Sequence, residues 1–210
     1  IRDLFYAIPA RLKFLKTDRT ELALTADIMR RLALANPDIA FVLKDGERKV
    51  LHYVAAKGDP RNAHLTRLSQ VMGGEFAENA ITIDCKRDGV RLTGSAGLPT
   101  FNRGTAQKQY LFVNGRPVKD RLLTGAVRGA YADMLARDRH AVLALFLELP
   151  CEDVDVNVHP AKSEVRFRDA QGVRGFIVSG LRQALATGDK RSAQSPDAGA
   201  MARWQQEPVR

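Results

Sequence analysis

Three dipeptides, Asp45-Gly46, Asp88-Gly89 and Asn114-Gly115, each sit in the middle of an extended run, and together they restrict the fold more than any other feature of the chain. Asp-Gly and Asn-Gly tolerate the positive φ angles of a tight hairpin turn, so "IAFVLKDGERKVLHYVA", "AITIDCKRDGVRLTGSAG" and "QYLFVNGRPVK" each read as two antiparallel strands. Pro117 makes the last strand short or places it at a sheet edge, because it lacks a ladder donor. Helical periodicity fills the intervals. Leu22, Ala26, Met29 and Leu32 mark one buried stripe over residues 19–35, and Leu123, Val127, Ala130 and Met134 mark another over 120–135. Asn62 is a candidate cap for a helix ending at Met72 before Gly73-Gly74, Pro9 suits the first turn of a short helix, and a further helix covers 176–185. "AVLALFLEL" is apolar nearly throughout, as a strand buried on both faces must be. Hairpins interleaved with helices predict an α/β (α+β) two-layer fold with helices mainly on one face of the sheet. The stretch "LPTFNRGTAQK" reads as a polar, mobile loop, and from residue 187 periodicity gives way to Gly, Ser, Pro and Gln, the composition of a linker or disordered tail.

With 210 residues, 45% of them apolar, the chain can bury a substantial core. Lysine and arginine number 33 against 24 acidic residues, a net charge of +9, which fits either a polyanion-binding protein or simply an arginine-rich surface. No run reaches the roughly 18 apolar residues of a membrane span, and no apolar leader follows a charged start, so a soluble protein is expected. Cys85 and Cys151 form no CxxC pair, consistent with a reducing cytoplasm, and His52, His64, His140 and His159 are too scattered for a metal site. The start at Ile1 rather than Met reads as a piece of a longer protein.

The chain lacks a Gly-rich phosphate loop, a nucleophile with a matched base, and paired acids. Three stretches nonetheless concentrate charge. In Pro9-Ala10-Arg11-Leu12-Lys13-Phe14-Leu15 the Phe and Leu side chains are expected in the core and the cations in solvent. Arg116, Lys119 and Arg121 crowd the third hairpin, with Arg128 on the following helix, and can neutralise phosphates without reading bases. In "DVNVHPAKSEVRF", Val154, Val156 and Val158 alternate at strand period until Pro160 bends the chain and presents Lys162. A lysine there suits a terminal phosphate, whereas one paired with Glu164 or Asp155 would stabilise by only about 0–1 kcal/mol. The residues alone leave both readings open.

"PARLKFLK", "QYLFVNGRPVKDRLL" and "DVNVHPAKSEVRF", in that order, resemble the MutL family of DNA mismatch-repair proteins, and the resemblance covers about residues 1–186. It implies the transducer domain of a bacterial ATPase of the GHKL type: a mixed sheet similar to a ribosomal-protein domain, with one left-handed βαβ crossover. The ATP-binding half, with its magnesium-holding Asn, Asp-Gly-x-Gly turn and Gly-rich lid, has no counterpart here. By the resemblance, Lys162 reaches the γ-phosphate of ATP held with Mg by the complete protein, while Asn157, His159 and Pro160 shape its loop. Arg121 matches a DNA-binding position, with Arg116 and Lys119 beside it. The implied partners are DNA, the ATP-binding subdomain, a second protomer, a mismatch-recognition protein and downstream repair enzymes, in the cytoplasm and on the nucleoid when DNA-bound. Residues 1–186 are expected to be the transducer domain and 187–210 a linker, inactive as an ATPase and without bound nucleotide on its own. Two alternatives are the equivalent domain of another GHKL ATPase, against which "NVHPAK" argues, and a stand-alone ribosomal-type nucleic-acid-binding module.

Overall fold

The computed structural model describes residues 5–158, 160 and 162–193, and the chain divides into two compact units, residues 1–77 and 78–210. The expectations for His159 and for the tail beyond residue 193 lie outside the described residues.

In the first unit, α1 (Pro9–Leu12) begins on its proline as expected. Its neighbours are not core: Phe14 is 85% exposed, and Leu12 and Leu15 are also exposed. A single helical turn has no face wide enough to bury them. The next helix, α2 (Asp18–Ala35), buries Ala26, Ala33 and Leu34, whereas Leu32 is exposed together with Leu24 and Ile28. Of the stripe read from periodicity, Ala26 is buried and Leu22 and Met29 are half-buried, so only Leu32 departs from it; the packed side is completed by Ala33 and Leu34. Asn36 ends α2 by donating its side-chain amide to the Leu32 carbonyl at 2.9 Å. Strands β1 (Phe41–Asp45) and β2 (Arg48–Tyr53) form the first hairpin, with Gly46 at a φ of 56°.

Helix α3 (Pro60–Met72) starts on Pro60 rather than after Asn62. The cap is Asp59, whose carboxylate accepts the Asn62 N–H at 3.4 Å. Arg67 on this helix is fully buried, its Nη2 donating to the carbonyls of Pro37, Ile39 and Val54 at 2.8, 2.6 and 3.2 Å. The same guanidinium lies over the Phe41 and Tyr53 rings at 5.6 and 5.8 Å. Burial pushes its pKa down, opposed by the electrostatic influence of Tyr53 and Asp38. Gly73, at a φ of 100°, closes α3, and α4 (Gly74–Glu78) follows at once, so the two glycines punctuate the helical run without ending it.

The second unit is built on a five-stranded sheet. Its strands β3 (Ala80–Arg87) and β4 (Val90–Gly97) form the second hairpin; β5 (Asn102–Arg103) lies outside this sheet; β6 (Gln109–Val113) and β7 (Arg116–Val118) form the third. After α5 (Arg121–Ala130) come β8 (His140–Ala141) and β9 (Leu143–Glu148), then β10 (Val154–Asp155), β11 (Arg166–Phe167) and α6 (Ala170–Ala193). The order is β3-β4-β9-β6-β7, antiparallel except for β6 beside β9. The mixed sheet therefore contains a parallel crossover that passes through α5, with β9 at its centre. Leu143, Leu145 and Leu147 share one core with Val127 of α5 and Phe176 and Leu181 of α6. Alternate residues on the opposite face stack as Phe112 on Phe146, centroids 4.5 Å apart. At Gly94, with a φ of 127°, β4 passes so close to the Ala144 carbonyl that a Cβ would overlap it.

Three further expectations change. The stretch expected to be a loose loop contains β5 paired with β8 and a single 3-10 turn at Ala106–Lys108. Helix α5 stops at Ala130 rather than 135, because buried Tyr131 leaves the helical path and donates its hydroxyl to the Gly97 carbonyl at 2.7 Å; Met134 is exposed. Helix α6 runs to Ala193, past the onset of linker-like composition, and is capped at its start by Asp169 accepting the Gly172 N–H at 2.8 Å. Among the described residues no helix is long and apolar enough to cross a membrane.

Candidate functional site

The lysine-bearing stretch contains two short paired strands. Val154 pairs with Phe167 and Asp155 with Arg166, and the described residues between them form a loop. Strand structure stops at Asp155 instead of continuing to Val158, which is exposed. The reason is local: the Asp155 Oδ1 accepts the Asn157 N–H at 2.8 Å, a side-chain turn that competes with a ladder. The backbone-satisfying carboxylate at this corner belongs to Asp155, while Asn157 and Pro160 are exposed. Both arms of the loop are anchored, Val165 and Phe167 in the core and Val154 and Val156 packed against it.

Lys162 is exposed and sits at a φ of 50°, a left-handed conformation that residues with a Cβ seldom adopt. Among the described residues it pairs with neither Asp155, which is engaged with the loop backbone, nor Glu164. One residue further on, the Ser163 carbonyl accepts the Lys119 N–H at 2.7 Å. The lysine loop is thereby tied to the basic hairpin.

That hairpin is a type I′ turn as its sequence predicts, with Asn114 and Gly115 at φ 47° and 76°. The Asn114 side chain does more than turn the chain. Its Nδ2 donates to the Leu149 carbonyl at 3.0 Å and its Oδ1 accepts the Leu149 N–H at 3.0 Å, which fixes the end of β9 just before the lysine stretch begins. Pro117 lies in β7, the edge strand, and buried Val118 holds the strand down. Arg116, Lys119 and Arg121 are all exposed. Arg121 is the first residue of α5, where the helix dipole already carries positive potential, so cation and helix end favour an anion together. Asp120, the carboxylate next to it, is buried and committed to capping by accepting the Leu123 N–H at 3.0 Å. The Ser163 contact, the Asp155 turn and the Asn114 clamp could not be read from the sequence, since each depends on which backbone group folding brings near. Among the described residues no group of three His, Cys, Asp or Glu side chains could hold a metal ion.

Among solved structures, the N-terminal domain of a DNA repair protein superposes with a TM-score of 0.71 at 20% identity, covering 91% of this chain and 61% of that one. The Aquifex aeolicus MutL ATPase domain complexed with ADP gives a TM-score of 0.55 at 21% identity over 84% of this chain and 55% of its own. The fold is thus shared with part of that MutL ATPase domain. A family model described as "DNA mismatch repair protein, C-terminal domain" matches residues 68–186, which take in the whole five-stranded sheet. MutL of Paramagnetospirillum magneticum is 64% identical over 93% of this chain and 32% of its own length, and MutL of Sphingopyxis alaskensis 54% identical over 100% and 34%. The chain belongs to the MutL family of DNA mismatch-repair proteins. It spans about a third of the length of the curated relatives it matches.

Proposed function

We propose that this chain is the part of a mismatch-repair ATPase that transmits nucleotide state to DNA binding, with the second unit as the transducer. In this reading the Lys162 ammonium donates to the γ-phosphate of ATP held by an ATP-binding subdomain. Arg116, Lys119 and Arg121 meet DNA phosphates without regard to sequence. The residues fit such a ligand: Lys162 is exposed, unpaired among the described residues, and carried on a loop whose two arms are fixed. Bound ATP with Mg would supply the scissile β–γ bond. The lysine would offset negative charge that develops on the phosphate oxygens in a poorly hydrated site. Because that contact exists only with triphosphate, it also biases the orientation of the transducer.

The observation that carries the reading is the Lys119 to Ser163 hydrogen bond at 2.7 Å, which supports a mechanical link between the phosphate-sensing loop and the DNA-contacting hairpin. The partners follow: duplex DNA, the ATP-binding subdomain, a second protomer brought in by ATP, a mismatch-recognition protein and downstream repair enzymes, in the cytoplasm and on the nucleoid. The chain after α6 would join this part to the remainder of the protein. The test is Lys162→Ala in the complete protein. Turnover should fall by about 10²-fold or more, with ATP-dependent dimerisation weakened; unchanged turnover together with unchanged dimerisation would remove Lys162 from the nucleotide site.

A further inference from the structure

We propose that the DNA contact extends beyond the hairpin along the outer face of α5, with Arg174 beside Arg121 at one end and Arg128, Arg137 and Arg139 around a cavity at the other. The inference rests on the reading of Arg121 as a phosphate ligand and enlarges its site.

The outer face of α5 consists of Arg121, Thr124, Gly125 and Arg128, all exposed, while Leu123, Ala126, Val127 and Ala130 face the core. Arg121 and Arg128 are two helical turns apart, roughly 10.5 Å along the axis. A DNA strand carries a phosphate about every 3.4 Å of helix axis, so this interval corresponds to about three phosphates. Between the arginines the surface is low: a Cβ on Gly125 would meet nothing within 4 Å. A phosphate backbone can therefore lie close to the helix without a bulky side chain holding it off.

Each end of this face opens into a depression. At the N-terminal end, Arg121, Leu122, Gly125, Ala170, Gln171 and Arg174 line a groove of about 400 Å³ between α5 and the start of α6. At the C-terminal end, Arg128, Arg137, Arg139 and His140 lie around a cavity of about 250 Å³ floored by Tyr131 and Gln109. Among the described residues no carboxylate lines either depression. Arg139 is held in place by donating its Nε to the Asn102 side-chain carbonyl, a neutral partner that leaves the guanidinium charge uncompensated. Two other arginines of this unit are by contrast paired with carboxylates, Arg182 with Asp133 at 2.9 Å and Arg91 with Asp84 at 3.1 Å. Cations with no ion pair among the described residues thus line this open, low face, an arrangement that suits a polyanion track.

The experiment measures binding of the full-length protein to two unrelated duplexes of about 40 base pairs between 50 and 200 mM salt, by fluorescence anisotropy. The variants are Arg121→Glu, Arg128→Glu, and Arg137→Glu combined with Arg139→Glu, with melting temperatures confirming that each is folded. Arg128→Glu should weaken binding to both duplexes by about tenfold and lower the salt slope by about one, and the double variant should lower the slope by about two. If Arg121→Glu weakens binding while Arg128→Glu and the double variant leave affinity and slope unchanged, the extended track is wrong and the hairpin contact stands. If all three leave them unchanged, both fall. A loss confined to one duplex would also overturn the proposal, since phosphate contacts carry no sequence information.

Discussion

The Lys119 N–H donates to the Ser163 carbonyl at 2.7 Å, joining two segments that lie more than forty residues apart in the chain. One is the exit of an edge strand and the other flanks the lysine whose backbone takes a left-handed conformation. A single backbone bond has a net worth of about 1 kcal/mol, too little to fold a domain but enough to bias a loop.

The bond and the Lys119 charge can be separated. Lys119→Ala keeps the N–H and removes the cation; Lys119→Pro removes the donor, and Val118 before it is already extended, as a residue preceding proline must be. Hydrogen exchange of the loop amides after residue 155 should be about fivefold faster in the proline variant and unchanged in the alanine variant. Identical exchange in the two variants would mean that the Ser163 contact does not restrain the loop.

Arg67 is the second case in which a polar group decides local structure. Burying a guanidinium costs several kcal/mol, and the Nη2 of Arg67, shared among the Pro37, Ile39 and Val54 carbonyls, offsets part of that cost, while its Nε and Nη1 are buried with no hydrogen-bond partner among the described residues. Arg67→Met fills similar space yet strands those carbonyls. The first unit should lose on the order of 3 kcal/mol, read as a lower urea midpoint for that unit. A midpoint within experimental error of the parent would show that the carbonyls find other donors.

These residues also explain what could be read in advance. All three hairpins were legible, because Asp-Gly and Asn-Gly turns are determined by their own φ angles and need nothing from the rest of the chain. The central apolar strand was legible for a similar reason: β9 shows its two-sided burial in composition alone. Helix ends and buried faces were less so. Tyr131 stops α5 for a hydroxyl contact with Gly97, far away in sequence, and α2 chooses Ala26, Ala33 and Leu34 over the equally apolar Leu24, Ile28 and Leu32. Nothing in the residues around Arg67 marks it for burial. At the candidate site, residue types placed Arg116, Lys119 and Arg121 on one hairpin, but only the three-dimensional fold put Lys162 next to that hairpin and left it with no acidic partner among the described residues.

His64, on α3, gives the first unit a pH dependence whose sign follows from burial. Desolvation lowers its pKa below the ordinary 6.5, so the folded unit resists protonating this ring while the unfolded chain does not. Below about pH 6.5 the unfolded state binds the extra proton, and stability falls as pH drops from there through the depressed folded-state value. Above that window both states are neutral and the residue contributes no slope. Melting the protein between pH 7.5 and 5 should therefore show the transition of the first unit moving down, and His64→Gln should flatten that part of the profile without altering it above neutrality. A profile equally steep with glutamine in place would assign the acid sensitivity to another group.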